Sequence, residues 1–117
     1  MALRILVVDD SPVSRILITE MVRENGHQVV AEAENLAQVL AAYKTHKPDV
    51  VTLDLSLASE DGLTILKALR QFDPKAKIVV ISGNSQTKVI DEITAAGAGY
   101  VPKPFTQEDL IKALGAS

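Results

Sequence analysis

ILVVDDSP, at residues 5–12, decides the fold of this chain. Its first half is four apolar residues without alternation, the pattern of a β-strand that is buried on both faces. Two carboxylates follow at once, Asp9 and Asp10, and Pro12 then suits the first position of a helix. The stretch therefore predicts a central strand that ends in an acidic turn and leads into a helix.

The rest of the chain repeats this alternation of short apolar runs and helical spacing. Apolar, β-branched runs predict five strands, at residues 5–8, 29–31, 50–53, 78–81 and 99–101. Helical spacing predicts five helices, at residues 11–24, 36–46, 63–72, 87–96 and 107–114. The alternation indicates an α/β protein with a doubly wound five-stranded parallel sheet and helices on both faces. Right-handed crossovers leave 2-1-3-4-5 as the natural strand order, which is the order of flavodoxin-like (βα)5 folds.

Local signals refine the edges of this arrangement. Pro102 lacks a ladder donor and so favours a sheet edge for the fifth strand. Thr106 is expected to cap the last helix, with Asp109 three residues later in a capping box. His27 and His46 fall at a turn and a helix end, where we expect surface residues.

Composition bounds the class of protein. The 117 residues are 47% hydrophobic and 23% charged, which predicts one globular domain over residues 1–117. The 12 Lys and Arg against 15 Asp and Glu give a net charge of -3, and aromatics are 3%, so neither a basic stripe nor a stacking platform for nucleic acid is expected. The absence of cysteine excludes disulfides and fits a cytoplasmic location. The run at residues 5–8 is too short to enter a membrane.

Polar groups follow all five predicted strands, and those after four of the strands are expected to converge. The carboxyl ends of parallel strands meet at one edge, where ligands of such sheets bind. The groups placed there are Asp9 and Asp10, Asp54, Ser82, and Lys103. Taken singly, each has a structural explanation as a helix cap or a turn residue. Glu34, after the second strand, is expected to lie too far to the side.

The combination of these groups indicates phosphoryl transfer. Strands one and three lie about 4.8 Å apart if they are neighbours, so Asp9, Asp10 and Asp54 would share a small volume. Carboxylates that close need a cation, and their hard oxygens favour Mg²⁺, while the absence of nearby His or Cys disfavours zinc. Lys103 could reach an incoming oxyanion and Ser82 could donate a hydrogen bond to it.

At these spacings the chain resembles the response-regulator receiver family, the CheY-like domains of two-component phosphorelay signalling. The resemblance covers essentially the whole chain and rests on Asp9-Asp10, Asp54, Asp61-Gly62, Ser82 and the run GYVPKPF at residues 99–105. It implies that Asp54 is the phosphoacceptor and that Asp54 and Asp10 ligate Mg²⁺ directly. It also implies that Asp9 acts through water and that the backbone carbonyl of Ser56 completes the protein ligands.

The same resemblance implies roles for the remaining residues and for partners. Lys103 would pair with a phosphoryl oxygen, Ser82 and Tyr100 would act as the switch, and the Lys103–Pro104 bond would be cis. The donor would be a sensor histidine kinase or a phosphotransfer protein. The altered surface of the fourth helix, fifth strand and fifth helix would act on a downstream target, a fused output domain or a second copy in a phosphorylation-dependent homodimer. Such a receiver is no enzyme beyond its own phosphorylation and dephosphorylation.

Some positions depart from the commonest family pattern. Ala58 stands where the family often has Pro, and Leu57 stands where it often has Met. Ser56 and Asn84 occupy the two variable positions that flank the phosphoryl group and tune the lifetime of the acyl phosphate in this family.

Three other functions remain open at this point. A scaffold that binds partners without phosphorylation usually lacks one of the acidic residues or the lysine, and all are present here. A phosphohydrolase of the haloacid-dehalogenase type needs a second Asp two residues after the nucleophile, where this chain has Ser56. A flavin-binding protein of this fold needs a phosphate-cradling loop after the first strand, and the chain has no such loop.

Overall fold

A parallel five-stranded sheet in the order β2-β1-β3-β4-β5 forms the centre of the computed structural model, which describes residues 2–54, 62–83 and 87–116. The strands are β1 Arg4–Val8, β2 Gln28–Ala33, β3 Val50–Asp54, β4 Ile78–Ser82 and β5 Gly99–Pro102. The helices are α1 Pro12–Glu24, α2 Leu36–His46, α3 Gly62–Phe72, α4 Thr87–Ala95 and α5 Gln107–Ala116. The predicted fold class and strand order are confirmed.

Apolar layers cover both faces of the sheet, as the predicted doubly wound arrangement requires. On one face, side chains of β1, β3 and β4 pack against α2, α3 and α4, with Val39, Leu66 and Ile93 fully buried. On the other face, the alternate residues of the same strands pack against α1 and α5, where Val22 and Leu110 are buried. Strands covered on both sides have no room for a polar alternation, which explains their continuous apolar runs.

Helix starts follow the capping signals in the sequence. The Ser11 hydroxyl accepts a hydrogen bond from Ser14 N at 3.3 Å, and Pro12 lies in the first turn of α1. Before α5, Thr106 Oγ1 accepts from Asp109 N at 3.1 Å, while Thr106 N donates to Asp109 Oδ2 at 3.0 Å. This reciprocal pair confirms the predicted capping box, and it satisfies two backbone donors that the helix itself leaves unpaired.

The structure extends some predicted strands and corrects one prediction about a surface residue. β2 takes in polar Gln28 and Glu32, which an edge strand tolerates because one side of it faces solvent. Pro102 ends β5 at the other edge, as predicted. His27, expected on the surface, is half-buried, and its Nδ1 accepts a hydrogen bond from Leu3 N at 3.1 Å. His46 is exposed as expected.

Strand register sets which residues meet at the carboxyl edge of the sheet. Val8 lies opposite Leu53, so Asp9 follows β1 at the level of Asp54, the last residue of β3. Asp54 in turn lies opposite Ile81, the residue before Ser82. No helix within the described ranges is long and apolar enough to cross a membrane.

Candidate functional site

Asp54 is the centre of the carboxyl edge and is almost wholly buried, with 4% of its surface exposed. Lys103 Nζ donates to Asp54 Oδ2 at 2.7 Å, while a third of the lysine side chain stays exposed. The ammonium offsets part of the free energy that burial of the carboxylate charge costs. The arrangement brings together the two groups that the sequence assigned to a nucleophile and to its cationic partner.

Ser82 lies beside this ion pair at the end of β4 and is 1% exposed. Its backbone carbonyl accepts a hydrogen bond from Lys103 N at 2.9 Å, and the residue faces Pro102 across the ladder. The serine and the lysine are therefore fixed to one another through the backbone. The Lys103–Pro104 peptide bond that follows is cis, as the family resemblance implied.

Asp9 is the second buried carboxyl group of the edge, at 1% exposure. Its Oδ1 accepts a hydrogen bond from Ser11 N at 2.9 Å. Its Oδ2 is buried and has no hydrogen-bond partner among the residues that the structure describes. The pKa of Asp9 is raised to about 6 in total: burial is the largest cause, the hydrogen bond from Ser11 N lowers the pKa, and the neighbouring Asp54 carboxyl raises it. The site thus holds one carboxyl group whose ionised form is poorly supported by protein groups alone.

The residues of this edge fit a magnesium ion. Within residues 2–54, 62–83 and 87–116, no three His, Asp or Glu side chains converge as a metal-binding group, so the place of Asp10 among the ligands stays a prediction. Mg²⁺, however, commonly takes only one or two carboxylates and fills its remaining positions with water and phosphate oxygens. Asp9 Oδ2 lies beside Asp54 and has no partner in the described part of the chain, so it is an oxygen that such a cation would satisfy.

Other predicted site residues are placed as follows. Tyr100 in β5 is half-buried and packs against the apolar layer that contains Ile93 of α4. Asp10 directly follows Asp9 and is half-buried. Ser56 and Asn84, together with the flanking positions Leu57, Ala58 and Asp61, lie outside the described residues, so their predicted roles are untested.

Sequence reasoning missed Arg15, which connects the acidic turn to the neighbouring strand. Arg15 Nη1 donates to the backbone carbonyl of Asp9 at 2.7 Å and also lies 3.1 Å from Glu34 Oε1. Glu34 does lie outside the pocket, as expected, but it is connected to the pocket through this arginine. The sequence signal was an arginine one turn into the helix that follows Asp9 and Asp10.

An apolar cavity of about 450 Å³ opens next to Asp9, Asp54 and Lys103. Apolar side chains of α1 and of the segment before α5 form its other walls, among them Leu17, Ile18, Met21 and Phe105. A larger cavity of about 770 Å³ lies at the opposite edge of the sheet, and the described residues that line it include Arg70, Lys75 and Lys77 but no carboxylate. The smaller cavity is therefore the candidate functional site, because its lining carries the two carboxyl groups and the lysine.

Comparison with known proteins agrees with this geometry. A family model described as the response regulator receiver domain matches residues 5–115. The chemotaxis protein CheY of Bacillus subtilis (strain 168) is 43% identical over 115 residues, which are 97% of this chain and 96% of that protein.

Solved structures give the same result. The crystal structure of a two-component response regulator of the LuxR family from Aurantimonas sp. SI85-9A1 has a TM-score of 0.90 and 31% identity, and the match covers 99% of this chain and 84% of that one. A CheX–CheY–BeF3–Mg²⁺ complex from Borrelia burgdorferi also has a TM-score of 0.90, with 25% identity over 97% of this chain and 87% of that one. The chain therefore belongs to the response-regulator receiver domain family, the CheY-like signalling domains of two-component systems.

Proposed function

We propose that Asp54 is the phosphoacceptor of a Mg²⁺-dependent signalling switch. The observation that carries the proposal is the buried Asp54 carboxylate with Lys103 Nζ at 2.7 Å and the Asp9 carboxyl group beside it. A nucleophilic carboxylate, a mobile ammonium and an acidic neighbour are groups that phosphoryl transfer to an aspartate uses, and one oxygen of that neighbour has no partner among the described residues.

The reaction needs little covalent chemistry from the protein. One Asp54 oxygen attacks the phosphorus of a phosphohistidine, a new O–P bond forms, and the N–P bond breaks with its electron pair left on the histidine nitrogen. Lys103 exchanges its carboxylate partner for a phosphoryl oxygen, and Ser82 donates a hydrogen bond to a second one. Asp10 and Asp54 would hold Mg²⁺ together with the backbone carbonyl of Ser56, with Asp9 acting through water, and the ion would neutralise charge on the phosphoryl oxygens.

The switch follows from the places of Ser82 and Tyr100. Ser82 ends β4 and faces β5 across the ladder, while Tyr100 lies two residues before the strand ends and packs against the layer that contains α4. Movement of Ser82 toward the phosphoryl group opens space into which Tyr100 turns, and the surface of α4, β5 and α5 changes with it. That surface acts on a downstream protein, on a fused output domain or on a second copy of the chain.

The apolar surface of α1 supports a docking place for the phosphodonor, a histidine kinase or a phosphotransfer protein. Val13, Ile16 and Leu17 are exposed by 68%, 58% and 51%, and Leu17 lines the cavity that reaches Asp54. Apolar side chains this exposed are typical of a protein contact surface. We expect Ile16→Ser to slow phosphotransfer from a histidine kinase that phosphorylates the wild type, while phosphorylation by a small donor stays unchanged. Phe72→Ser, at an exposed position on α3, is the control.

Intact mass measurement after incubation with Mg²⁺ and acetyl phosphate tests the central proposal. We expect one phosphoryl adduct on the wild type, none on Asp54→Asn, and none without Mg²⁺. Asp49→Asn is the matched control, because Asp49 precedes the same strand at its other end, where its Oδ2 accepts from Arg4 N at 2.8 Å. A wild type without an adduct, or an adduct that persists on Asp54→Asn, would refute the proposal and favour a scaffold that binds partners without phosphorylation.

A further inference from the structure

Arg15 makes three polar contacts from a largely buried side chain on the first turns of α1. Its Nη1 donates to Asp9 O at 2.7 Å and lies 3.1 Å from Glu34 Oε1, and its Nε donates to Glu32 Oε1 at 3.0 Å. The arginine side chain is 15% exposed, whereas each glutamate is 50% exposed. One planar guanidinium thus joins the end of β1 to the end of β2, which a single ammonium could not do with the same geometry.

The contact to Asp9 O fixes the peptide group that connects Asp9 to Asp10. The backbone N–H and one carboxyl oxygen of Asp9 are also held, because Asp9 N donates to Ala33 O at 3.0 Å and Ser11 N donates to Asp9 Oδ1 at 2.9 Å. A peptide group is planar, so the direction of its carbonyl sets the direction in which the next residue leaves. Arg15 is the part of this arrangement that fixes the carbonyl, and with it the start of Asp10.

If only its charge mattered, Arg15 would weaken the binding of a cation in the pocket. The guanidinium is a positive charge beside an acidic pocket, so its removal would make the pocket more negative and strengthen the binding of a divalent ion. Removal would also leave Glu32 and Glu34 without the cation that they share. A positioning role and a purely electrostatic role therefore predict changes in Mg²⁺ affinity of opposite sign.

We propose that Arg15 is a positioning residue for the Mg²⁺ site. The arginine orders the Asp9–Asp10 turn through its hydrogen bond to the carbonyl oxygen of Asp9. The inference rests on the proposed function, since it concerns the metal that the same pocket would hold. Groups that orient metal ligands commonly change metal affinity by about ten- to a hundredfold when they are removed.

The test compares Arg15→Met and Arg15→Lys with wild type by calorimetric titration of Mg²⁺ at constant pH and ionic strength. Arg70→Met is the matched control, because Arg70 also joins two segments through carbonyls, Ala96 O and Pro74 O, both at 2.7 Å, but at the opposite edge of the sheet. We expect roughly tenfold weaker Mg²⁺ binding in both Arg15 variants and no change in Arg70→Met. Urea unfolding in EDTA confirms that every variant is folded.

A second measurement does not depend on the metal. In metal-free protein we expect the Ser11 amide, which donates to Asp9 Oδ1, to exchange its hydrogen faster in Arg15→Met than in wild type or Arg70→Met. Tighter or unchanged Mg²⁺ binding in Arg15→Met would overturn the positioning role, as would equal binding by Arg15→Lys and wild type. If the wild type is phosphorylated and the Arg15 variants bind Mg²⁺ as tightly as the wild type does, this inference alone is refuted. If the wild type binds no Mg²⁺, the proposed function is refuted as well.

Discussion

Asp9→Asn is expected to stabilise the metal-free protein near neutral pH. The Asp9 carboxyl is buried, its Oδ2 has no partner among the described residues, and its pKa is raised from 3.8 to about 6. Each pKa unit corresponds to about 1.4 kcal/mol, so ionisation of Asp9 costs the folded state roughly 3 kcal/mol. Asparagine has the same shape and can keep the hydrogen bond from Ser11 N, but it carries no charge to desolvate.

The sign of the pH dependence follows from the direction of the pKa change. Below about pH 4, Asp9 is protonated in both folded and unfolded chains and costs nothing. Between about pH 4 and pH 6 the unfolded chain releases the proton first, so the stability of the wild type falls as pH rises. Above about pH 6 the whole cost is present, and the advantage of Asp9→Asn is largest.

Urea unfolding followed by circular dichroism in EDTA measures this difference directly. We expect Asp9→Asn to unfold with a free energy about 3 kcal/mol higher than wild type near pH 7.5 and about equal near pH 4. Mg²⁺ at roughly one hundred times its Kd should return about 2.7 kcal/mol to the wild type and much less to the variant. Asp91→Asn, at an exposed position of α4, is the control. Equal stabilities near pH 7.5, or a difference that persists near pH 4, would refute the reasoning.

Three further predictions concern single side chains outside the pocket. Thr52→Val should raise the free energy of unfolding by about 1 kcal/mol in urea titrations, because the Thr52 hydroxyl is buried without a hydrogen-bond partner among the described residues; a loss of stability would show that the hydroxyl is satisfied. Tyr43→Phe should raise the pKa of Asp73 toward 3.8 in a carboxyl NMR titration, because the Tyr43 hydroxyl, 2.7 Å from Asp73 Oδ2, is the largest cause that holds this pKa down. An unchanged titration would contradict that cause. Thr106→Ala should cost about 1 kcal/mol in thermal or urea unfolding, through loss of the α5 cap shared with Asp109; Thr106→Ser should cost little, and equal losses in the two variants would argue against the cap.

The sequence was sufficient for the order of elements because strand burial and helix amphipathicity are local patterns. The runs at residues 5–8 and 78–81 are apolar throughout because helices cover both faces of the sheet. Strand ends were less predictable: Asp54 and Ser82 are polar, yet each is the last residue of a buried strand. Their backbones continue the ladder, and only tertiary placement shows that a polar side chain can be accommodated there.

The candidate site was predictable as a set of groups but not as a network of contacts. Asp9, Asp54, Ser82 and Lys103 could be named because parallel strands bring their carboxyl ends to one edge. The contacts of Arg15 could not be predicted in the same way, because its ion pairs with Glu32 and Glu34 depend on how α1 crosses the end of β2. The half-buried position of His27 likewise involves a contact with Leu3, a residue distant in sequence. Long side chains that join separate elements are where local patterns lose their predictive value.

The distribution of the pocket over separate strand ends has a consequence for folding order. Lys103 and Asp54 are 49 residues apart in sequence, and within the described ranges no hairpin or other local unit contains both. Parallel pairing closes long loops before any contact is gained, so such contacts form slowly and late. A partly folded chain would hold the carboxylate of Asp54, the proposed phosphoacceptor, without Lys103. We therefore expect the ability to be phosphorylated to arise only as the sheet is completed, so that signalling is restricted to fully folded molecules.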